Sequence, residues 1–175
     1  MIQDDWRRIS GISTEGDGTI GAVWLAIDRF ADVIHLYDCC VFRREVPAVI
    51  AEGLNARGRW IPIAWEKSAK AMSDMLLERG CNMVYEPFTD DEVTAEVISR
   101  TIWERMRSSR FKTDKRNAEW LDEYKQFYRQ DHKIPQTGFP LMAATRNAVG
   151  MADEWARAQT PAGGNKNNFA NLAMI

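Results

Sequence analysis

Three carboxylates of this chain stand beside the ends of apolar segments, where a folded protein can hold an oxygen ligand in place. Glu66 follows the run Trp60 to Trp65, while Glu15 and Asp17 lie in the turn Thr-Glu-Gly-Asp-Gly that closes the segment Ile9 to Ser13. Hard divalent cations such as Mg2+ and Mn2+ prefer carboxylate oxygens. Glu66 with Asp17 is therefore the candidate metal pair, and Glu15 is a further candidate catalytic acid. A loop acid is held less firmly than one on a strand, and Glu66 beside Lys67 can also be read as a solvated cap of its strand. Other chemistries find less to build on. His35 and His132 are far apart and suggest no Ser-His-Asp or Cys-His arrangement. The three cysteines, two of them adjacent (Cys39-Cys40), make neither a disulfide framework nor a zinc site. No Gly-x-x-x-x-Gly-Lys-Ser/Thr loop is present.

The second chemically loaded stretch is basic. Between Arg100 and Arg116 seven cations face two acids, Glu104 and Asp114, for a net +5. Arg105, Arg107, Arg110, Lys112, Lys115 and Arg116 form the candidate DNA-binding set, as a patch tracking phosphates without reading sequence. A solvated helix face and turn is the competing reading of the same residues.

The elements that must position these groups follow from apolar spacing. Ile9 to Ser13, Ile20 to Ile27 and Val33 to Phe42 read as strands joined by tight turns, an antiparallel meander. Val46, Val49, Ile50 and Leu54 then repeat at helical spacing and stop at Gly58. Trp60 to Trp65 reads as a short buried strand, and a helix through Met72 and Leu76 is expected to start at Ser68 and end at Gly80. Cys81 to Tyr85 is strand-like. Val93, Val97, Ile98, Ile102 and Met106 predict an amphipathic helix. Ser109 to Lys112 reads as loop and strand, followed by a helix through Trp120, Tyr124 and Phe127-Tyr128. A turn at Asp131-His132-Lys133 comes next, then a last helix through Leu141 to Ala148. A meander followed by alternating strands and helices predicts an α/β protein with a mixed sheet and helices on its faces.

At 175 residues and 45% apolar composition the chain suits one domain with a full core, and its net charge of −2 gives no whole-molecule attraction to nucleic acid. No apolar run reaches the roughly 18 residues of a membrane span. The acidic start Met-Ile-Gln-Asp-Asp-Trp lacks the layout of a signal peptide. The expectation is a cytoplasmic protein with reduced thiols and no membrane partner. One domain is expected over 1–159. From Thr160 to Ile175 the composition turns to Pro, Gly, Asn and Lys, which predicts a flexible tail.

The run from Arg107 to Gly150, RSSRFKTDKRNAEWLDEYKQFYRQDHKIPQTGFPLMAATRNAVG, is the most specific part of the sequence. In order and spacing it resembles the C-terminal nuclease domain of the large terminase subunit of tailed bacteriophages. There a run of the form GRFKV, WxxEYxxYHRxDGKIxK and DDLMSATRYA closes the domain. The resemblance extends from about Arg8 to Met151 and implies an RNase H-like fold with a five-stranded mixed sheet. It also implies two-metal cutting of concatemeric double-stranded DNA with Mg2+ or Mn2+, and partners in the packaging ATPase, the small subunit or the portal protein of a phage or prophage.

In such a fold, acids at the ends of the first and fourth strands and on the last helix hold two metals about 4 Å apart. This chain departs from that pattern at two of the three places. Ser13 stands where similar domains read Gly-Ile-Asp, and Phe139-Pro140 stand where they carry two acids before Leu-Met. Glu66 falls where the middle acid is expected. Asp153 lies too far along the last helix to replace the third acid, and Asp131 reads as a turn-former. Three functions remain open: a weak endonuclease using Glu66 with Glu15 or Asp17, a non-catalytic DNA- or protein-binding module, and a structural relic.

Overall fold

The computed structural model describes residues 2–130 and 132–159, so the tail expected from Thr160 to Ile175 and the turn residue Asp131 lie outside the described residues. Strands β1 (Arg7–Thr14), β2 (Thr19–Asp28) and β3 (Val33–Arg43) form the predicted antiparallel meander. Two short strands flank it. β4 (Ile63–Ala64) runs parallel to β1, and β5 (Phe111–Thr113) runs parallel to β3. The sheet order is β4-β1-β2-β3-β5, a five-stranded mixed sheet as expected.

Both sheet faces are covered, which explains why the central strands read as nearly continuous apolar runs rather than as alternation. The side chains themselves alternate with the pleat. Ile12, Ala22 and Trp24 enter one core, with Ile50 and Leu54 of α1 (Pro47–Asn55) and Leu76 of α2 (Lys70–Glu78). Ile9, Val23 and Leu25 enter the other, beneath α5 (Pro140–Trp155) and beside α3 (Glu92–Arg107) and α4 (Ala118–Gln126). Trp120 of α4 is fully buried there, and its indole N–H donates to Thr145 Oγ1 at 3.0 Å.

α5 lies directly against the sheet because two glycines leave room for it. A Cβ on Gly11 would stand 2.1 Å from the Ala144 carbonyl oxygen, and one on Gly21 would stand 2.5 Å from the Pro140 carbonyl group. No side chain larger than hydrogen fits between strand and helix at these crossings.

Several local expectations are corrected. The strand read over Trp60 to Trp65 contracts to two residues, and Cys81 to Tyr85 is not a strand. From that segment Met83 makes only an isolated bridge to Ile63, and the fifth strand comes instead from Phe111–Thr113. Ser68 does not cap α2: it sits in a 3-10 turn (Lys67–Ala69), and its hydroxyl donates to Glu66. The helix around Trp120 ends at Gln126, leaving Phe127 and Tyr128 beyond it. The stripe on α3 is buried only toward its end, so Ile102 is buried while Val93 and Val97 face solvent. A free-standing apolar pattern cannot tell which part of a helix the neighbouring elements will reach.

Candidate active site

The pairing of Ser10 with Ile63 and of Gly11 with Ala64 brings the C-terminal ends of β1 and β4 to one edge of the sheet. Thr14, which follows the buried Ser13, meets Glu66 there. Glu66 is 8% exposed. Its Oε1 accepts the Thr14 backbone N–H at 3.0 Å, the Ser68 hydroxyl at 3.3 Å and the Thr14 hydroxyl at 3.5 Å. Its Oε2 accepts from Asn147 Nδ2 on α5, and the same amide donates to the Ile12 carbonyl oxygen at 2.8 Å. Burial pushes the Glu66 carboxyl above the usual carboxylate range, against the bonds donated by Thr14, Asn147 and Ser68. The solvated-cap reading of Glu66 is thereby excluded. It is an enclosed carboxyl whose oxygens already have donors.

The remaining acids go elsewhere. Asp17 is exposed and accepts the Thr19 backbone N–H at 2.9 Å, which holds its carboxyl below the usual range and closes the β1–β2 turn. Glu15 reaches across to the segment before α5 and accepts the Gly138 N–H at 3.1 Å. Phe139 is the N-cap of α5 without a capping side chain, and Pro140 is its first residue, buried where a missing N–H leaves no helical bond unmade.

The cap that Phe139 does not supply comes from another helix. Glu123 of α4 accepts the Met142 N–H at 2.7 Å. Burial is the main cause that lifts its carboxyl to about 7, with the negative charges of Glu15 and Glu119 adding to it. A carboxyl whose folded pKa lies near 7 against an ordinary 4.5 binds a proton more readily in the folded state. Its stabilising contribution is complete below the ordinary value and is lost as pH rises toward 7. Glu123→Gln keeps an oxygen for Met142 and cannot ionise. Its melting temperature relative to the parent is expected to rise between pH 5 and pH 8; an offset that is constant with pH would sink this assignment.

A second buried pair supports α5. Arg146 Nη2 and Nε contact the two oxygens of Asp90 at 2.9 and 3.2 Å. Sequence reasoning missed Asn147, Glu123 and Asp90. Only Glu123 left a signal, since it lies three residues after Trp120 on the helix face that packs against α5.

The basic stretch divides in two. Arg105 and Arg110 both hold Asp32 in the β2–β3 turn, at 2.9 and 2.7 Å, and Arg116 pairs with Asp114 at 3.0 Å. Arg107 lies over the Trp103 ring at 4.7 Å. Lys112 and Lys115 are exposed and make no ion pair among the described residues. His35 packs against Trp6 with ring centroids 4.7 Å apart, and Cys39, Cys40 and Cys81 are free thiols.

A two-metal centre does not fit this donor set. Among the described residues no group of three or more His, Cys, Asp or Glu side chains converges. Glu66 is met by hydroxyl, amide and backbone N–H donors, and the oxygen beside it without a partner among the described residues, Asn147 Oδ1, belongs to a neutral amide, so the edge lacks the several carboxylates that two metals need. No described helix is long and apolar enough to cross a membrane.

No protein-family model matches the chain, and no curated protein matches it. Solved structures do. The nuclease domain of the P22 large terminase matches with a TM-score of 0.79 at 17% identity, over 90% of this chain and 87% of that one. The large terminase nuclease domain of bacteriophage SPP1 with bound Mn gives 0.69 at 15% identity, over 83% and 86%. The large terminase nuclease of thermophilic phage G20c with bound zinc gives 0.56 at 14% identity, over 85% and 83%. The chain thus has the RNase H-like fold of phage large terminase nuclease domains, with one buried glutamate at the edge where β1 and β4 end.

Proposed function

We propose that this chain is a terminase-type nuclease domain acting in phage or prophage DNA packaging inside the host cell, and that its cutting activity is weak or lost. The observation that carries the second half is the closed bonding around Glu66. Thr14, Ser68 and Asn147 all donate to the Glu66 oxygens, and Ser13 and Asn147 are neutral. The reading that follows is a non-catalytic module that holds duplex DNA through exposed cations, with Lys112 and Lys115 foremost. The packaging ATPase, the small subunit or the portal protein would be its protein partners. Mg2+ or Mn2+, held weakly at Glu66, would be the cofactor of any residual activity, since Asp17 and Glu15, the other candidate ligands, are engaged at Thr19 and Gly138.

The test is plasmid relaxation and linearisation with Mg2+ and with Mn2+, alongside Glu66→Ala. No cutting above background in either protein is expected. Robust cutting by the parent that Glu66→Ala abolishes would overturn the proposal in favour of a working endonuclease. Duplex binding is expected to weaken steeply from low to moderate salt and further in Lys112→Ala/Lys115→Ala. Absence of such binding would overturn the DNA-binding reading and leave a protein-binding module or a structural relic.

A further inference from the structure

α3, α4 and α5 enclose a cleft of about 540 Å3 that shares no lining residue with the Glu66 site. Its wall is aromatic, made by Trp103, Trp120, Tyr124, Phe127 and Tyr128. Phe111, Trp120 and Tyr124 form a stacked column, with centroids 5.8 and 5.3 Å apart and planes tilted by 20° and 6°. The column runs from the core to Tyr124 in the cleft wall. Trp103 and Tyr128 remain 49% and 68% exposed, and Arg107 covers one face of the Trp103 ring.

Cations outnumber acids among the charged groups of the cleft, and each of them is ion-paired: Arg100 and Arg129 with Glu96, Lys125 with Asp122, and Arg146 with Asp90. Arg100, Lys125, Arg129 and Arg146 line it against the single carboxylate Glu96. Two buried polar atoms on its walls, Arg146 Nη1 and Ser99 Oγ, have no hydrogen-bond partner among the described residues. Arg146 is only 1% exposed, and its other two donors are committed to Asp90. Buried donors without acceptors are rare in folded proteins, and these two are open to an acceptor that enters the cleft, water or ligand.

An occupant that meets these conditions has a flat ring to stack on exposed aromatics, acceptors at its edge for Arg146 and Ser99, and negative charge for the cationic rim. A nucleotide unit has all three. Duplex DNA hides its ring faces in the stack, so only an unpaired base can present them. An acidic peptide supplies charge and acceptors, but it matches a wall of five aromatic side chains less well. We propose that this cleft binds an unpaired nucleotide of single-stranded nucleic acid, as a second site separate from the Glu66 edge. The proposal does not depend on whether that edge cuts DNA.

The test uses a fluorescein-labelled twelve-residue oligothymidylate and a duplex of equal length, followed by anisotropy with the whole chain. Trp103→Ala and Tyr128→Ala, both at exposed positions that the core does not need, are each expected to weaken single-strand binding about tenfold and to leave duplex binding unchanged. Val93→Ala, exposed on the same helix outside the cleft, is expected to change neither. Quenching of tryptophan fluorescence by the oligonucleotide is expected in the parent and diminished in Trp103→Ala. Absence of oligothymidylate binding, or equal binding by the parent and both aromatic variants, would overturn the proposal. Saturable binding of an Asp/Glu-rich peptide containing Phe, lost in Trp103→Ala while the oligonucleotide does not bind, would overturn it in favour of a protein partner. None of these readouts involves a metal or cleavage, so failure here is separable from failure of the packaging-nuclease reading.

Discussion

Arg146→Met is expected to lower folding stability by roughly 3–5 kcal/mol, read as a shift of the denaturant midpoint at constant slope. The size follows from what is left behind. Asp90 is mostly buried, with its side chain 12% exposed, and the guanidinium contacts both of its oxygens. Removing the cation leaves a carboxylate shut away from water with no compensating charge, and that penalty exceeds what the pair contributes net. The same argument predicts that Arg146→Met/Asp90→Leu recovers most of the loss, because both charges are then gone. A single-variant loss under about 1 kcal/mol, or a double variant no better than the single, would contradict it. Arg146 belongs to the closing Ala-Ala-Thr-Arg run that resembles terminases. In this chain it also ties the last helix to the segment before α3.

Gly11→Ala is expected to cost at least about 3 kcal/mol, at the upper end of overpacking penalties. The added methyl would stand 2.1 Å from the Ala144 carbonyl oxygen and 2.9 Å from both the backbone nitrogen and the Cβ of Ala148. These are mostly main-chain atoms of a helix packed on two strands, so no side-chain rotation relieves the clash. α5 would have to lift from β1, carrying Asn147 away from Glu66 and Ile12. Gly16→Ala is the control, since its Cβ would meet nothing within 4 Å. Equal urea midpoints for the two variants would refute the close-approach argument.

The meander was legible in the sequence because its strands are consecutive and end in turn residues, so each carries its own local signal. The parallel strands were harder. β5 was marked by Arg110-Phe111-Lys112 within a recognisable run, whereas Cys81 to Tyr85 has strand-like composition and yet forms only one bridge to Ile63. Apolar composition reports burial, and burial beside a sheet does not require joining it. At the site, Glu66 was legible from its place after a strand. Its surroundings were not. Asn147 is 81 residues away, and Thr14 contributes a backbone N–H that any residue would have supplied. The expectation that acids are replaced at Ser13 and at Phe139-Pro140 rests on comparison with the terminase-like pattern, not on any signal local to those residues. The cap on α5 from Glu123 depends on how two helices pack, which spacing within either helix does not specify.

The two strands at the margins of the sheet, β4 and β5, are two and three residues long. The strands of eight to eleven residues all lie inside. The outer side of β4 is further covered by backbone bonds: Ile63 donates to the Asn82 carbonyl, and Val84 donates to the Ile63 carbonyl. β5 carries the exposed cation Lys112 at its centre. An unpaired edge recruits strands from other molecules in proportion to its length and flatness, and lysine on it opposes that recruitment. Concentrated solutions of this protein therefore have little edge from which to nucleate intermolecular β-structure, even though its central strands are strongly apolar.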